Sequence, residues 1–270
     1  MSRLFITGDT HADFTRFSTK NFPLQKELTK EDYIIICGDF GLWHNCAKEQ
    51  YWLDWLDKKN FTTIFVDGNH ENFDRLNSNE FPIVDFLGAK AHQIRPSIYH
   101  ILRGEVITIQ GKTFFCFGGA SSHDIQDGIL DPETFVSKEA FTRVYKSYVA
   151  ANKMFRVKGI SWWPQELPSD EEMAHGLENL IAHNGEVDYI ITHCLPQEVC
   201  TFIGGSLYKP DILTDYFNTI AQNVQFTKWF CGHYHLDQDI WGKFTILYDK
   251  IDEIRLEENC LEEEENYVLN

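Results

Sequence analysis

Residues 228–237 read KWFCGHYHLD: an apolar run closes on glycine, and two histidines follow one residue apart. In an extended strand successive side chains alternate faces, so His233 and His235 are expected to point one way and Tyr234 the other. A pair so placed can grip one object together. Four other short β-rich runs end alike: RLFITGD (3–9), YIIICGDF (33–40), TTIFVDGNH (62–70) and VDYIITHC (187–194). Each delivers a histidine, aspartate or asparagine at its carboxyl end.

Between these runs lie helical candidates, NCAKEQYWLDWLDKK (45–59) and SDEEMAHGLENLIAHNG (169–185). Strands alternating with helices predict an α/β fold. GEVITIQGKTFFCFGGA (104–120) reads as a hairpin turning at Gln110-Gly111, and QDIWGKFTILY (238–248) as another, so the sheets are expected to be mixed. Residues 121–169 interrupt the pattern with the proline-bearing aromatic segment GISWWPQELPSD. No repeat and no Gly/Ser linker appears. One domain over 1–256 is expected, with 121–169 as an insertion able to serve as a lid and 257–270 as an acidic, solvated tail.

The 270-residue chain is 43% hydrophobic, and no apolar stretch approaches the roughly 18 residues of a membrane span. The N-terminus lacks a secretory h-region, which predicts a cytoplasmic protein with no membrane partner. Its seven cysteines have no C-x-x-C spacing, and Cys37, Cys116, Cys194 and Cys231 read as reduced core thiols. A formal charge of −17 repels long nucleic acid unless a local patch or bound metal offsets it.

In open α/β sheets ligands bind beyond the carboxyl ends of the strands, so the five endings are candidates for one site. Their donors are Asp9, His11, Asp39, Asn69, His193, His233 and His235. Carboxylate, imidazole and amide without thiolate suit manganese, iron or zinc. The set is too large for one tetrahedral ion and fits two if a carboxylate bridges. Two such ions clamp a phosphate and activate a water for in-line attack, so phosphoester hydrolysis is the expected chemistry.

These residues resemble the calcineurin-like metallophosphoesterases. GDTH holds that family's D-x-H, CGDF its G-D, GNHE its G-N-H-[DE], ITHC its lone metal histidine and GHYH its G-H-x-H, in the family's order from residue 8 to residue 235. The resemblance implies a four-layer αββα sandwich of two mixed sheets flanked by helices, with a dinuclear site at the strand ends. It implies one divalent ion on Asp9, His11, Asp39 and His235, and a second on Asp39, Asn69, His193 and His233, with Asp39 as bridge. Manganese is the first expectation; iron, zinc, nickel and cobalt are alternatives. His70 matches the residue that protonates the leaving oxygen or stabilises the transition state, and its imidazole suits that role near neutral pH. The protein phosphatase branch carries a phosphate-binding arginine after its G-D, whereas this chain reads GDFGLWHN, which argues against a dedicated phosphoserine/phosphothreonine phosphatase. Small bacterial and phage-type members with GDFG loops and SWWP-like segments are what it most resembles.

Loops around such a site choose the substrate, and His123, Asp124, Arg156, Trp162 and Trp163 of the insertion are the candidate substrate contacts. The two tryptophans could equally pack the insertion as a satellite core. Asp13 and Glu71 read as helix-start residues, His92, His100, His175 and His183 as structural or surface groups, and His44 as near enough to line the pocket. The expected partner is a small phosphorylated substrate or nucleotide, with the oligomeric state open. A nuclease using the same metals and a non-catalytic scaffold on the same fold are the competing readings. A scaffold would be expected to lose donors, and none is missing.

Overall fold

The computed structural model describes residues 2–41 and 44–256; the acidic tail lies outside the described residues. The first half of the chain forms strands β1 (Leu4–Thr7), β2 (Tyr33–Cys37), β3 (Thr62–Val66), β4 (Ile83–Phe86), β5 (Ala89–Arg95) and β6 (Ile98–Ile101), with helices α1 (Ala47–Asp57) and α2 (Phe73–Leu76). The hairpin β7 (Glu105–Ile109) and β8 (Lys112–Phe117) follows. The insertion holds β9 (Ile129–Leu130), α3 (Lys138–Ala150) and β10 (Arg156–Val157). Helix α4 (Asp170–Ala182), β11 (Tyr189–Thr192), α5 (Gln197–Gly204), α6 (Ile212–Asn223) and β12 (Lys228–Cys231) come next. Strands β13 (Gln238–Ile240), β14 (Phe244–Ile246) and β15 (Asp252–Ile254) complete the described fold.

Two mixed sheets result, ordered β15-β1-β2-β3-β6-β5-β4 and β13-β14-β12-β11-β8-β7, with β9 and β10 pairing separately. Alternation along β2 shows how they stack. Ile34 and Ile36 pack outward with Phe14, Phe17, Leu53 and Leu56, while Ile35 and Cys37 pack inward with Ile107, Phe114, Ile191 and Phe230 of the second sheet. That sheet turns Phe115, Phe117, Ile190 and Trp229 toward Leu180, Val199, Leu213 and Phe217 of α4, α5 and α6. Helix, sheet, sheet and helix are therefore consecutive layers, each pair sharing a dry apolar seam. The expected four-layer αββα sandwich is the fold.

Local chemistry agrees with this plan. Both hairpins turn where two successive residues take positive φ, Gln110 and Gly111 at 51° and 76°, Trp241 and Gly242 at 55° and 67°, the conformation that matches strand twist. Ser169 and Glu172 form a reciprocal capping box at the start of α4. Cys37, Cys116, Cys194, Cys200 and Cys231 are buried free thiols, as the core reading expected, and Cys46 is exposed. No described helix is long and apolar enough to cross a membrane.

The parallel strands β1, β2 and β3 of one sheet and β11 and β12 of the other end at the same edge of the sandwich, where their following loops exchange hydrogen bonds.

Candidate metal centre

The chain bends sharply as it leaves these strands. His11, Asp39, His233 and His235 have φ of 45°, 48°, 69° and 51°, a region non-glycine residues rarely occupy. Such strain costs on the order of 1–3 kcal/mol per residue and persists only where surroundings fix it. Here they do. Asp39 O accepts from His11 N at 2.8 Å, Asp39 Oδ1 accepts from His70 N at 2.8 Å, and Asp9 Oδ1 accepts from His233 N at 2.9 Å. Two motif glycines let these loops interlock: a Cβ on Gly68 would sit 2.0 Å from Asp39 Oδ1, and one on Gly232 2.1 Å from Asp9 Oδ1.

This geometry corrects the expectation for His233 and His235. Strand β12 stops at Cys231, so the pair does not share a strand face. Left-handed backbone at both positions, tightened by Tyr234 N donating to Gly232 O at 2.9 Å, brings both imidazoles to the same cluster. Tyr234 does turn the other way, into the helical seam, where its hydroxyl accepts from Leu195 N.

All seven expected donors converge. His193 is fully buried; its Nδ1 faces Cys37 O at 2.8 Å, leaving Nε2 3.3 Å from both Asp39 Oδ1 and Asn69 Oδ1. A carbonyl on one ring nitrogen fixes the tautomer and presents the other as a donor. His235 Nε2 lies 3.2 Å from Asp9 Oδ2 and 3.2 Å from His11 Nε2, and its ring stacks on Tyr248. His233 packs on His193 with ring centroids 4.9 Å apart. Asp39 reaches both sides, Oδ1 toward His193 and Oδ2 toward His11 Nδ1 at 3.7 Å.

The charges are concentrated and dry. Without a cation, burial alone would depress His193, but Asp39 and Asp9 outweigh it and push it up to about 10; a divalent ion beside the same carboxylates would take the place of that proton and free Nε2 as a ligand. Burial would likewise raise Asp39, and the His193 charge instead holds it well below the usual carboxylate range. Burial drives His11, His70 and His233 toward the neutral form that donates a lone pair.

The donors fit divalent ions. Candidate donor atoms of Asp9, His11 and His235 lie within 4.8 Å of one another, as do those of Asp9, Asp39 and His193. Asp9 Oδ2 is buried and has no well-aligned hydrogen bond, its nearest polar neighbour being His235 Nε2 at 3.2 Å, a poorly compensated state for a carboxylate oxygen that a cation would relieve.

Of the expected substrate contacts, His123 reaches the cluster, its Nε2 2.8 Å from His233 Nε2. Arg156 places two guanidinium nitrogens 3.4 Å and 3.3 Å from the ring nitrogens of His70 and is clasped by Asp124, with Nη2 2.6 Å from Oδ2. The tryptophans diverge. Trp162 donates from Nε1 to Glu166, and Trp163, buried, donates to Asp74 at 2.8 Å and lines a cavity beside His70. His44 lines that cavity too.

Several supporting residues carried no recognisable sequence signal. Glu71 was expected in a helical first turn; α2 starts only at Phe73 with Asn72 as its cap, and the fully buried Glu71 carboxylate instead accepts from Phe40 N at 2.7 Å and Gly41 N at 3.2 Å. It ties down the loop that carries Asp39. Asp13 does not cap a helix starting at Phe14 as expected: only a three-residue 3-10 turn, Thr15–Phe17, follows, with Phe14 at its N-cap, and the Asp13 carboxylate accepts from Thr15 N in a local turn. Arg16 donates to Asp9 O at 2.5 Å and to Tyr248 O, joining β1's end to the loop behind His235. Asn69 Nδ2 donates to Ser122 Oγ at 3.3 Å, and Glu166 accepts from Ser122 Oγ at 2.7 Å and Ser122 N at 3.0 Å.

Comparison with known proteins places the chain in a family. The chain is 23% identical over 253 residues to lariat debranching enzyme A of Xenopus laevis; the match covers 87% of this chain and 43% of the relative, so the chain spans less than half of that protein. A solved structure of a protein of unknown function from Aquifex aeolicus, AQ665, matches at 16% identity over 61% of this chain and 82% of that one, with a TM-score of 0.23. The model of the calcineurin-like phosphoesterase family matches residues 2–237, and the chain belongs to that family.

Proposed function

We propose that this protein is a phosphoesterase that hydrolyses a phosphomonoester or small phosphodiester with two divalent ions, manganese first among them. The observation that carries the reading is the convergence of Asp9, His11, Asp39, Asn69, His193, His233 and His235 around buried carboxylates, one of whose oxygens, Asp9 Oδ2, has no well-aligned hydrogen bond. Asp9, His11, Asp39 and His235 would hold one ion and Asp39, Asn69, His193 and His233 the other. Ions held there would supply charge to clamp a phosphate and to lower the pKa of a water. The remaining work falls to the chain. His70, whose backbone N–H is anchored on Asp39 and whose ring borders Arg156, is assigned to the departing oxygen, where it protonates the leaving group or, in the neutral form that burial favours, stabilises the transition state by hydrogen bonding. Arg156, held by Asp124, and His123, beside His233, orient the ester from the insertion's side.

Similarity to a lariat debranching enzyme supports ester hydrolysis as the class of chemistry. A decayed scaffold would have lost donors, and here all seven stand together. The test is elemental analysis of manganese-reconstituted protein, with hydrolysis assays on mono-aryl and bis-aryl phosphates. Two ions per chain with turnover are expected. Absence of bound metal and of turnover on every ester would reject the enzyme in favour of the scaffold. Turnover confined to polynucleotides would favour the nuclease.

A further inference from the structure

We propose that the cavity bounded by His44, His70, Arg156, Ile160, Ser161 and Trp163 is a leaving-group subsite that takes one planar ring, an aryl group or a nucleobase, carried by the departing alcohol. The inference rests on the phosphoesterase reading and adds to it the class of ester preferred.

Position comes first. The His70 ring contacts His11 of the metal cluster at a centroid distance of 5.2 Å and also forms a wall of the cavity. One imidazole thus borders both the reacting centre and the space beyond it. An alcohol that receives its proton from His70 has its body directed along that ring.

Size and chemistry come next. The cavity holds about 190 Å³, less than the ~300 Å³ at which sites accept a drug-sized molecule. A single ring system fits that space. Its walls offer flat or apolar surface: the Trp163 indole is fixed through its hydrogen bond to Asp74, and the Arg156 guanidinium is fixed by Asp124 alongside His70. Planar groups held at both ends stack on rings at little further entropic cost. Asp124 also offsets the Arg156 charge, which makes the guanidinium a platform for a neutral ring more than a hook for a second phosphate. Ile160 is 57% exposed at the rim, an apolar surface that a seated ring would cover. No carboxylate lines the cavity among the described residues.

The experiment compares benzyl phosphate with methyl phosphate, whose leaving alcohols have similar acidity, and adenosine monophosphate with ribose phosphate. Each pair is assayed on manganese-reconstituted protein and on Ile160→Trp, a rim substitution that narrows the cavity while leaving the core untouched. Ring binding is read separately, without turnover, from saturation-transfer NMR with benzyl alcohol and adenosine. Stacking of one ring predicts a kcat/KM preference of about tenfold or more for the ring-bearing member of a pair, collapsing in the variant. Preference for benzyl phosphate assigns an aryl group, and preference for adenosine monophosphate alone a nucleobase. Turnover with no ring preference, or a preference unchanged in Ile160→Trp, overturns the subsite and leaves the phosphoesterase standing. Ring binding with no turnover of any ester overturns the phosphoesterase, and the leaving-group role with it.

Discussion

At the scale of single residues, the proposed division of labour separates His70 from its neighbours. Asp39 offers one oxygen to each side of the cluster, so Asp39→Asn is expected to lower the content of both metals. His70→Asn should keep both metals and lose roughly 10²–10⁴ in turnover, the usual scale for a positioned acid. Elemental analysis beside kcat decides: equal metal loss in the two variants would show that His70 acts in binding. The loss should shrink for esters with good leaving groups, which need less protonation. The donors themselves were legible in the sequence because each ends an apolar run, a signal that survives in one dimension. The form of the turns was not. His233 and His235 looked like a strand pair, and only the left-handed backbone after Cys231 shows how they meet. Glu71 was similarly opaque, since a carboxylate two residues before a helix looks like a dipole partner until Phe40 N and Gly41 N are seen to bind it.

At the scale of elements, a short chain of hydrogen bonds couples the insertion to the cluster, beside the contacts of His123 with His233 and of Arg156 with His70. Ser122 receives the amide of Asn69 and is itself held by Glu166, which also accepts Trp162 Nε1 at 2.8 Å. That chain leaves Asn69 Oδ1 facing His193. Removing such an outer partner typically costs 10–100-fold in metal affinity, so Ser122→Ala should weaken metal binding by roughly that factor. Titration with manganese reads the effect, and unchanged affinity would mean that Asn69 needs no help from the insertion. The sequence placed aromatic residues at 162 and 163 without distinguishing them, because adjacent residues differ only in the direction the backbone gives them. Trp163 is buried and pinned across to α2, so Trp163→Ala is expected to cost about 3–5 kcal/mol of stability. Trp162 is half-buried, and Trp162→Ala should cost less. Denaturant unfolding of the two variants gives the comparison, and equal losses would contradict the distinct environments.

At the scale of the whole molecule, a second buried cluster braces the sandwich beside the candidate site, and it makes stability depend on pH. Asp67 follows β3, one residue before Gly68, and its backbone O accepts from Gly119 N beyond β8, so it links the two sheets. Its carboxylate receives Arg103 Nη2 at 2.6 Å and faces His100 Nε2 at 3.1 Å, and His100 Nδ1 faces His92 Nδ1 at 3.1 Å. Burial alone would raise Asp67, but the Arg103 charge and the His100 hydrogen bond outweigh it and hold the carboxyl well below its ordinary range. A depressed carboxylate contributes stability that is complete above its unfolded pKa, about 4, and is lost as pH falls toward the folded value. His92 acts in a higher window. Burial, then the neighbouring His100, push it down to about 4. Between about 6.5 and that value the unfolded chain binds a proton that the native protein refuses, so stability should already decline from about pH 6.5. Urea midpoints measured from pH 7.5 to pH 3.5 should therefore fall in two stages, and His92→Gln should flatten the upper one. Arg103→Met would strand Asp67 without its cation and is expected to cost about 3–5 kcal/mol at neutral pH, as breaking a buried pair does. If His92→Gln leaves the slope between pH 6.5 and 4 unchanged, the upper stage belongs to other histidines. The buried pair at His92 and His100 would then be a packing feature alone.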